Sequence, residues 1–442
     1  MNLYVPSNAT SNSKLPVWVY IQGGGYTGDD SANFNGTQVV VASGLNLIQV
    51  NFNYRVGAFG FLASQNISSD GDLNAGLLDQ RQALHWVQQE IAAFGGDPDH
   101  VIIHGASAGA GSIAHHLMAY GGRNDHLFIG AVAQSPYFPG EKKVADLEWQ
   151  FQRFANLAGC GDASNVMTCL RSQNTTTLQS ANYVSPYPGQ NSPGQGYFGP
   201  TVDGDLLPDY PVNLLNQGKF LKMPLIVGDE PNEGTVFVAN ASSSVGFAGY
   251  FQNCYPQLTH DDTASIEQQY PLEPPLPRHA AYFPSLATAY GEATFICPGI
   301  RMCSAMSNTT ASSVWNYSFN VTSPAHTAEG LGVVHTFDTS AIFGAYYQGA
   351  PDDSSVRTFT NGQSNAATVP ILMDYYISFV MTLNPNTLRN AHAPEWETFN
   401  GDGTNGLQRL RIEASASVME EVPTPLQNNC HFWSGLAVRM QQ

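Results

Sequence analysis

The sequence predicts an α/β fold: a mostly parallel sheet with helices on both faces, and large helical and loop excursions in its second half. Two observations carry this. Short apolar runs of strand length alternate with helix-period segments through the first half of the chain, and that alternation builds parallel sheets covered on both sides. Hydrophobic residues make up 43% of the 442 residues, enough for a large core and too many for a disordered chain. At about 150 residues per domain the length allows up to three domains. No internal repeat or linker-like segment divides the chain, so residues 1–442 read as one domain.

Val17-Trp18-Val19-Tyr20-Ile21 reads as a buried strand ending in three glycines, and Leu47 to Phe52 as a second strand. Leu77, Leu84, Val87 and Ile91 fall at helical spacing, so a helix is expected from Leu77 to Phe94. Gly95-Gly96-Asp97-Pro98 then stops it with turn chemistry. Val101-Ile102-Ile103 is a strand, followed by small residues and a helix from about Ser112. Ile129 to Ala133 and Leu225 to Val227 are further strands. The Pro- and Gly-rich stretches at 186–199 and 271–277 read as excursions over the sheet.

Charge narrows the partners. Lys+Arg number 17 against Asp+Glu 35, a net charge of −18. So few cations cannot neutralise a phosphate backbone, which excludes nucleic acid and disfavours anionic membranes. No apolar run approaches the length of a transmembrane segment. Six cysteines are too few for a disulfide framework at this length. The acceptor pattern Asn-X-Ser/Thr occurs at Asn8, Asn35, Asn66, Asn174, Asn240, Asn308, Asn316 and Asn320. With the low lysine content it points to a secreted glycoprotein. Met1-Asn2-Leu3-Tyr4-Val5-Pro6 has neither the basic nor the apolar region of a signal peptide, so a processed chain or a missing N-terminus is expected.

Gly105-Ala106-Ser107-Ala108-Gly109 has the spacing G-x-S-x-G. It follows a buried strand and precedes a helix, the setting of a nucleophile elbow, in which a strained turn presents the serine hydroxyl near a helix N-terminus. Gly23-Gly24-Gly25 follows the first buried strand. Glycine lets consecutive N–H groups converge on one point, so Gly24 and Gly25, with the Ala108 N–H, are candidate donors to a tetrahedral oxyanion. A serine nucleophile needs a base and an orienting carboxylate. The acids after the strand at Leu225 are Asp229, Glu230 and Glu233; the histidines well after Ser107 are His260, His279, His326, His335, His392 and His431. Spacing alone leaves both sets open.

Several runs resemble type-B carboxylesterases, the family of cholinesterases and fungal lipases. They are Asn53-Tyr54-Arg55-Val56-Gly57-x-Phe59-Gly60-Phe61, Asn74-x-Gly76-Leu77-Leu78-Asp79-Gln80, Ala83-Leu84-x-Trp86-Val87 and Phe94-Gly95-Gly96-Asp97-Pro98. The resemblance extends over essentially the whole chain and implies the α/β-hydrolase fold. The family's acid lies in G-x-x-x-x-E-G, matched by Gly228 to Gly234, which implies Glu233. Its histidine lies in G-x-x-H followed by F-G, matched by Gly332 to His335 and Phe343-Gly344, which implies His335. The same resemblance implies a catalytic Ser107, oxyanion donors at Gly24, Gly25 and Ala108, a local Cys160–Cys169 bridge and a long-range Cys297–Cys430 bridge. Cys254 and Cys303 are left to pair or to stay free thiols.

Three departures bear on function. Ala106 stands where cholinesterases carry Glu, which removes a carboxylate suited to a cationic substrate. Gln22 stands where His often precedes the glycines. Met1 to Pro6 resembles the tail of the family pattern E-D-C-L-x-L-N, so a segment of the family pattern is expected upstream. The expectation is a secreted serine esterase acting on small uncharged esters through an acyl-enzyme. No metal or organic cofactor is implied, and the oligomeric state is left open. The alternatives are a lipase or sterol esterase, and a non-catalytic binding protein of cholinesterase-like fold.

Overall fold

The computed structural model describes residues 1–28, 34–308, 313–401 and 406–442. Nine strands form one sheet: β1 (Asn2–Tyr4), β2 (Leu15–Ile21), β3 (Ile48–Phe52), β4 (Gly96–Ala106), β5 (Gly130–Gln134), β6 (Leu225–Asp229), β7 (Val314–Phe319), β8 (Gln408–Ile412) and β9 (Val418–Glu421). Their spatial order is β1-β3-β2-β4-β5-β6-β7-β8-β9. Pairing is parallel from β3 through β8 and antiparallel only at the two ends, β1 on β3 and β9 on β8.

Both faces of the sheet are covered, which is why Val17 to Ile21 and Val101 to Ile103 are apolar at every position. Val17, Val19, Ile21, Val101 and Ile103 enter one core with the Ala75–Glu90 and Ala108–Gly122 helices. Their strand neighbours Trp18, Tyr20 and Ile102 enter the opposite core against the Thr368–Thr382 helix. Strand side chains alternate in direction, so one continuous apolar run feeds two cores.

Two expected boundaries move. Only Gly95 of the Gly95 to Pro98 turn acts as a helix stop, at φ 89°. Gly96 already pairs with Leu15, and pairing resumes at Val17 with Val101, so the segment around Pro98 bows out between them; proline has no N–H to give the ladder. The helix expected near Ser112 begins at Ala108. Its Ala-Gly-Ala-Gly first turn has poor intrinsic helicity. Packing overrides this: a Cβ on Gly109 would collide with the Ile21 carbonyl, and one on Gly111 with the Tyr137 carbonyl.

Both implied bridges are present, Cys160–Cys169 and Cys297–Cys430, while Cys254 and Cys303 are buried free thiols. Asn8, Asn35, Asn66, Asn174, Asn240 and Asn308 are exposed, as an acceptor must be; Thr310, which completes the Asn308 pattern, lies outside the described residues. Asn316 is a correction. It is fully buried in β7, and its side-chain amide donates to the Val227 carbonyl at 3.0 Å, so the folded chain cannot carry a glycan there. Asn320 is half-buried, and its amide donates to the Ser318 carbonyl at 3.2 Å. Among the described residues no helix is long and apolar enough to cross a membrane.

Candidate active site

Ser107 sits between the end of β4 and the helix that starts at Ala108, with φ 58° and ψ −124°. Such positive φ is strained for a residue with a side chain. The strain is held by packing and hydrogen bonds on both sides. The Ser107 N–H donates to the Gln134 carbonyl at 2.9 Å, and the Ser107 carbonyl accepts from Gly111 at 2.9 Å. A Cβ on Gly23 would lie 2.8 Å from the Ala106 carbonyl and 2.9 Å from Ser107 Cβ. Glycine there lets the loop after β2 come up against the serine.

The other predicted residues reach the same place from the C-terminal ends of neighbouring parallel strands, where open α/β sheets gather their ligands. Glu233 lies in a short turn after β6, and His335 in the loop after β7. Asn232 Oδ1 accepts from the Val333 N–H at 2.9 Å and Thr235 Oγ1 donates to the Leu331 carbonyl at 3.0 Å, which fastens the acid turn to the histidine loop. His335 Nδ1 is hydrogen-bonded to Glu233 Oε2. Glu233 is fully buried and His335 nearly so, under the rings of Phe295 at 4.5 Å and Phe237 at 4.9 Å. His335 Nε2 has no hydrogen-bond partner, so it is not bonded to Ser107 in this state. Both residues line one pocket of about 360 Å³ with Gly23, Gly24, Gly25 and Ala106. Ala108 is fully buried at the head of its helix, where a backbone N–H has no carbonyl four residues back to serve.

Of the six candidate histidines only His335 lines this pocket. His279 stacks on Phe283 at 3.7 Å, His260 opens a helix, and His392 and His431 line other cavities. His326 packs edge-on against Phe337 at 4.8 Å.

Glu230 and Asp229 take other roles. Glu230 Oε2 accepts from Ser135 Oγ at 2.6 Å and Oε1 from the Asp338 N–H at 3.2 Å. Asp338 also accepts from Tyr317 and Gln134. These groups, all buried, back the acid turn and were not legible in the sequence; the one available signal was an acid three residues after His335. Burial raises the pKa of Glu233, Glu230 and Asp338, with like-charged neighbours adding to the rise at Glu230 and Asp338. Burial acts on His335 in the opposite direction, holding the imidazole neutral, with Asp338 opposing it more weakly.

The remaining wall was also invisible from sequence. It draws Tyr20, Phe34, Tyr137, Gln195, Phe237 and Tyr347 from six separate segments. It contains no Asp, Glu, Lys or Arg among the described residues. Nor do the described residues contain a cluster of three or more His, Cys, Asp or Glu side chains placed to hold a metal.

Comparison with known proteins agrees with this architecture. The carboxylesterase family profile matches residues 1–433. Secreted lipase 1 of Botryotinia fuckeliana is 32% identical over 94% of this chain and 72% of its own length. Lipase 2 of Geotrichum candidum is 40% identical over 54% of this chain, and the match spans only 45% of that lipase. The crystal structure of Aspergillus niger EstA superposes with a TM-score of 0.95 at 50% identity, covering 100% of this chain and 84% of that one. By its sequence profile, its relatives and its fold, the chain belongs to the carboxylesterase family.

Proposed function

We propose that this protein is a secreted serine esterase that hydrolyses uncharged carboxylic esters through an acyl-enzyme on Ser107. The observation that carries the reading is the His335–Glu233 hydrogen bond, buried behind the pocket that Ser107 and His335 line. His335 Nε2 takes the Ser107 proton as Oγ attacks the ester carbonyl. Glu233 fixes the tautomer that leaves Nε2 free to accept, and stabilises the imidazolium that forms. The N–H groups of Gly24, Gly25 and Ala108 receive the oxyanion. His335 then protonates the departing alkoxide, and water, activated by the same imidazole, releases the acid.

Amide and hydroxyl side chains on the pocket wall, Gln22, Gln195, Thr336, Thr339 and Gln348, favour small soluble esters over triacylglycerols. Two disulfides, and relatives whose names call them secreted, support an extracellular site of action. One sheet with strands drawn from Asn2 to Glu421 supports a single domain.

The test is a fluorophosphonate probe followed by peptide mapping. A label on Ser107, absent in Ser107→Ala together with p-nitrophenyl ester turnover, is the expected outcome. Labelling that persists in Ser107→Ala overturns the assignment.

A further inference from the structure

A second pocket, of about 600 Å³, lies between the helices Pro211–Asn216, Cys297–Ser307 and Thr424–Met440 and shares no lining residue with the Ser107 pocket. Its lining includes Lys222, Arg301 and His431 and, among the described residues, no Asp or Glu. In a chain whose acids outnumber its bases 35 to 17, that composition runs against the average surface.

Arg301 is one of five arginines, with Arg153, Arg278, Arg357 and Arg389, that form no carboxylate pair among the described residues. Arg55, Arg81, Arg123, Arg171, Arg409, Arg411 and Arg439 each pair with a carboxylate. The half-buried Arg301 has no carboxylate partner among the described residues and makes one long hydrogen bond, to Asn216 Oδ1 at 3.4 Å. Burial lowers the pKa of its guanidinium, as expected for a cation partly stripped of water without a counter-ion. A guanidinium presents five N–H donors in a planar fork that matches a carboxylate with two parallel bonds.

The lining around that charge is mixed: Asn216, Ser304, Gln427 and Ser434 are polar, and an apolar strip runs beside them. Leu215, Phe220, Ile300 and Leu407 line the pocket, with the Cys297–Cys430 bridge holding two of its helices together. Arg301 also lines a narrow crevice edged by Phe138, Val212, Trp433 and Ala437. An uncovered cation beside an apolar strip is complementary to an amphiphile with an anionic head.

We propose that this pocket binds a fatty-acid anion, its carboxylate on Arg301 and its hydrocarbon tail along Leu215, Phe220, Ile300 and Leu407. Such an acid is the product class of acyl-ester hydrolysis; that link rests on the function proposed above, whereas the binding itself does not.

The test is calorimetric titration of the full chain with decanoate, decanol, acetate and inorganic phosphate. Decanoate should bind, and decanol and acetate each at least about tenfold more weakly, because each lacks one half of the recognition. Arg301→Gln should weaken decanoate binding by about tenfold or more, Arg301→Lys should fall between wild type and Arg301→Gln because it keeps the charge and loses the fork, and Ser107→Ala should leave binding unchanged. Circular dichroism checks that each variant is folded. Decanoate affinity unchanged in Arg301→Gln, or decanol binding as tightly as decanoate, overturns the proposal, as does phosphate binding as tightly as decanoate. Because binding is read directly, a chain that binds decanoate and hydrolyses nothing overturns the function proposed above and leaves this site standing.

Discussion

Glu230 and Glu233 lie on one turn, yet only Glu233 reaches the imidazole. The Glu230 N–H donates to Glu233 Oε1 at 3.0 Å, and the other Glu233 oxygen meets His335 Nδ1. The Glu230 carboxylate points elsewhere, to Ser135 Oγ at 2.6 Å and the Asp338 N–H at 3.2 Å. Backbone of one acid therefore aims the side chain of the other. Glu233→Gln should keep the fold and lower kcat by roughly three to four powers of ten, as wrong-tautomer variants of such triads do. Glu230→Gln should lower it by no more than about tenfold, since an amide can still accept from Ser135. Steady-state kinetics on both variants, with circular dichroism as the folding check, decides; the reverse ranking would make Glu230 the acid.

The pH dependence follows from burial of His335. Packing under Phe237 and Phe295 disfavours the imidazolium, so the folded-state pKa lies below the ordinary 6.5. Only the neutral ring accepts the serine proton. Activity should therefore persist as pH falls through 6.5 and decline only at lower pH. Phe237→Ala admits water to the ring and should move this acid limb upward. The measurement is kcat/KM against pH for both proteins; a wild-type midpoint above the ordinary histidine value contradicts the argument.

The legible parts of the site are those fixed by local backbone demands. Ser107 was found because a strained strand-to-helix turn requires small neighbours at Gly105 and Gly109, and that demand is written in consecutive residues. The strands were found because burial on both faces forces apolar residues at every position of Val17 to Ile21 and Val101 to Ile103. Glu233 and His335 were different: physical reasoning left three acids and six histidines open, and only the resemblance chose among them. Their meeting depends on β6 and β7 lying side by side and on Asn232 and Thr235 fastening the two loops. Such contacts join residues about a hundred positions apart and leave no local pattern. Asn316 failed for the same reason. Its tripeptide is an acceptor pattern, but the sheet buries it.

Asp229 gives a stability test. It is buried at the end of β6, and burial raises its pKa from 3.8 to about 6. A carboxyl that holds its proton more tightly when folded supports the fold below the unfolded pKa. That support is lost as pH rises through the folded value. Asp229→Asn should therefore be close to neutral at pH 4 and stabilising at pH 8, by about 2–3 kcal/mol for a shift of this size. Urea unfolding at the two pH values measures the difference. Equal effects at both would mean that Asp229 does not titrate differently on folding.

The two disulfides should differ in weight. Cys297–Cys430 closes a loop of 133 residues and Cys160–Cys169 one of 9. Loop-closure entropy makes the long bridge worth about 5 kcal/mol and the short one about 3 kcal/mol. Replacing Cys297 and Cys430 by Ser should lower the urea midpoint more than replacing Cys160 and Cys169. The opposite order would mean that residual structure in the unfolded chain already brings Cys297 near Cys430.

Charge selectivity should follow from Ala106. The residue before the nucleophile faces the bound substrate at short range and away from bulk water, where a carboxylate would attract a quaternary ammonium strongly. Here it is alanine, and no carboxylate replaces it on the described pocket wall. Asp229, Glu230, Glu233 and Asp338 lie close behind, but all are buried and none lines the pocket. The aromatic rings that do line the wall, Tyr20, Phe34, Tyr137, Phe237 and Tyr347, offer a cation only about 0.5–2 kcal/mol each. A choline ester must also shed water from its ammonium on entry, an unfavourable step that a neutral ester of the same shape avoids. The chain should therefore hydrolyse a 3,3-dimethylbutyl ester at least as fast, in kcat/KM, as the choline ester of equal acyl length. Ala106→Glu should shift that ratio toward choline by about tenfold, and added salt should erode part of the gain. A wild-type preference for the choline ester that weakens with ionic strength would reveal a cationic site built without a residue at position 106.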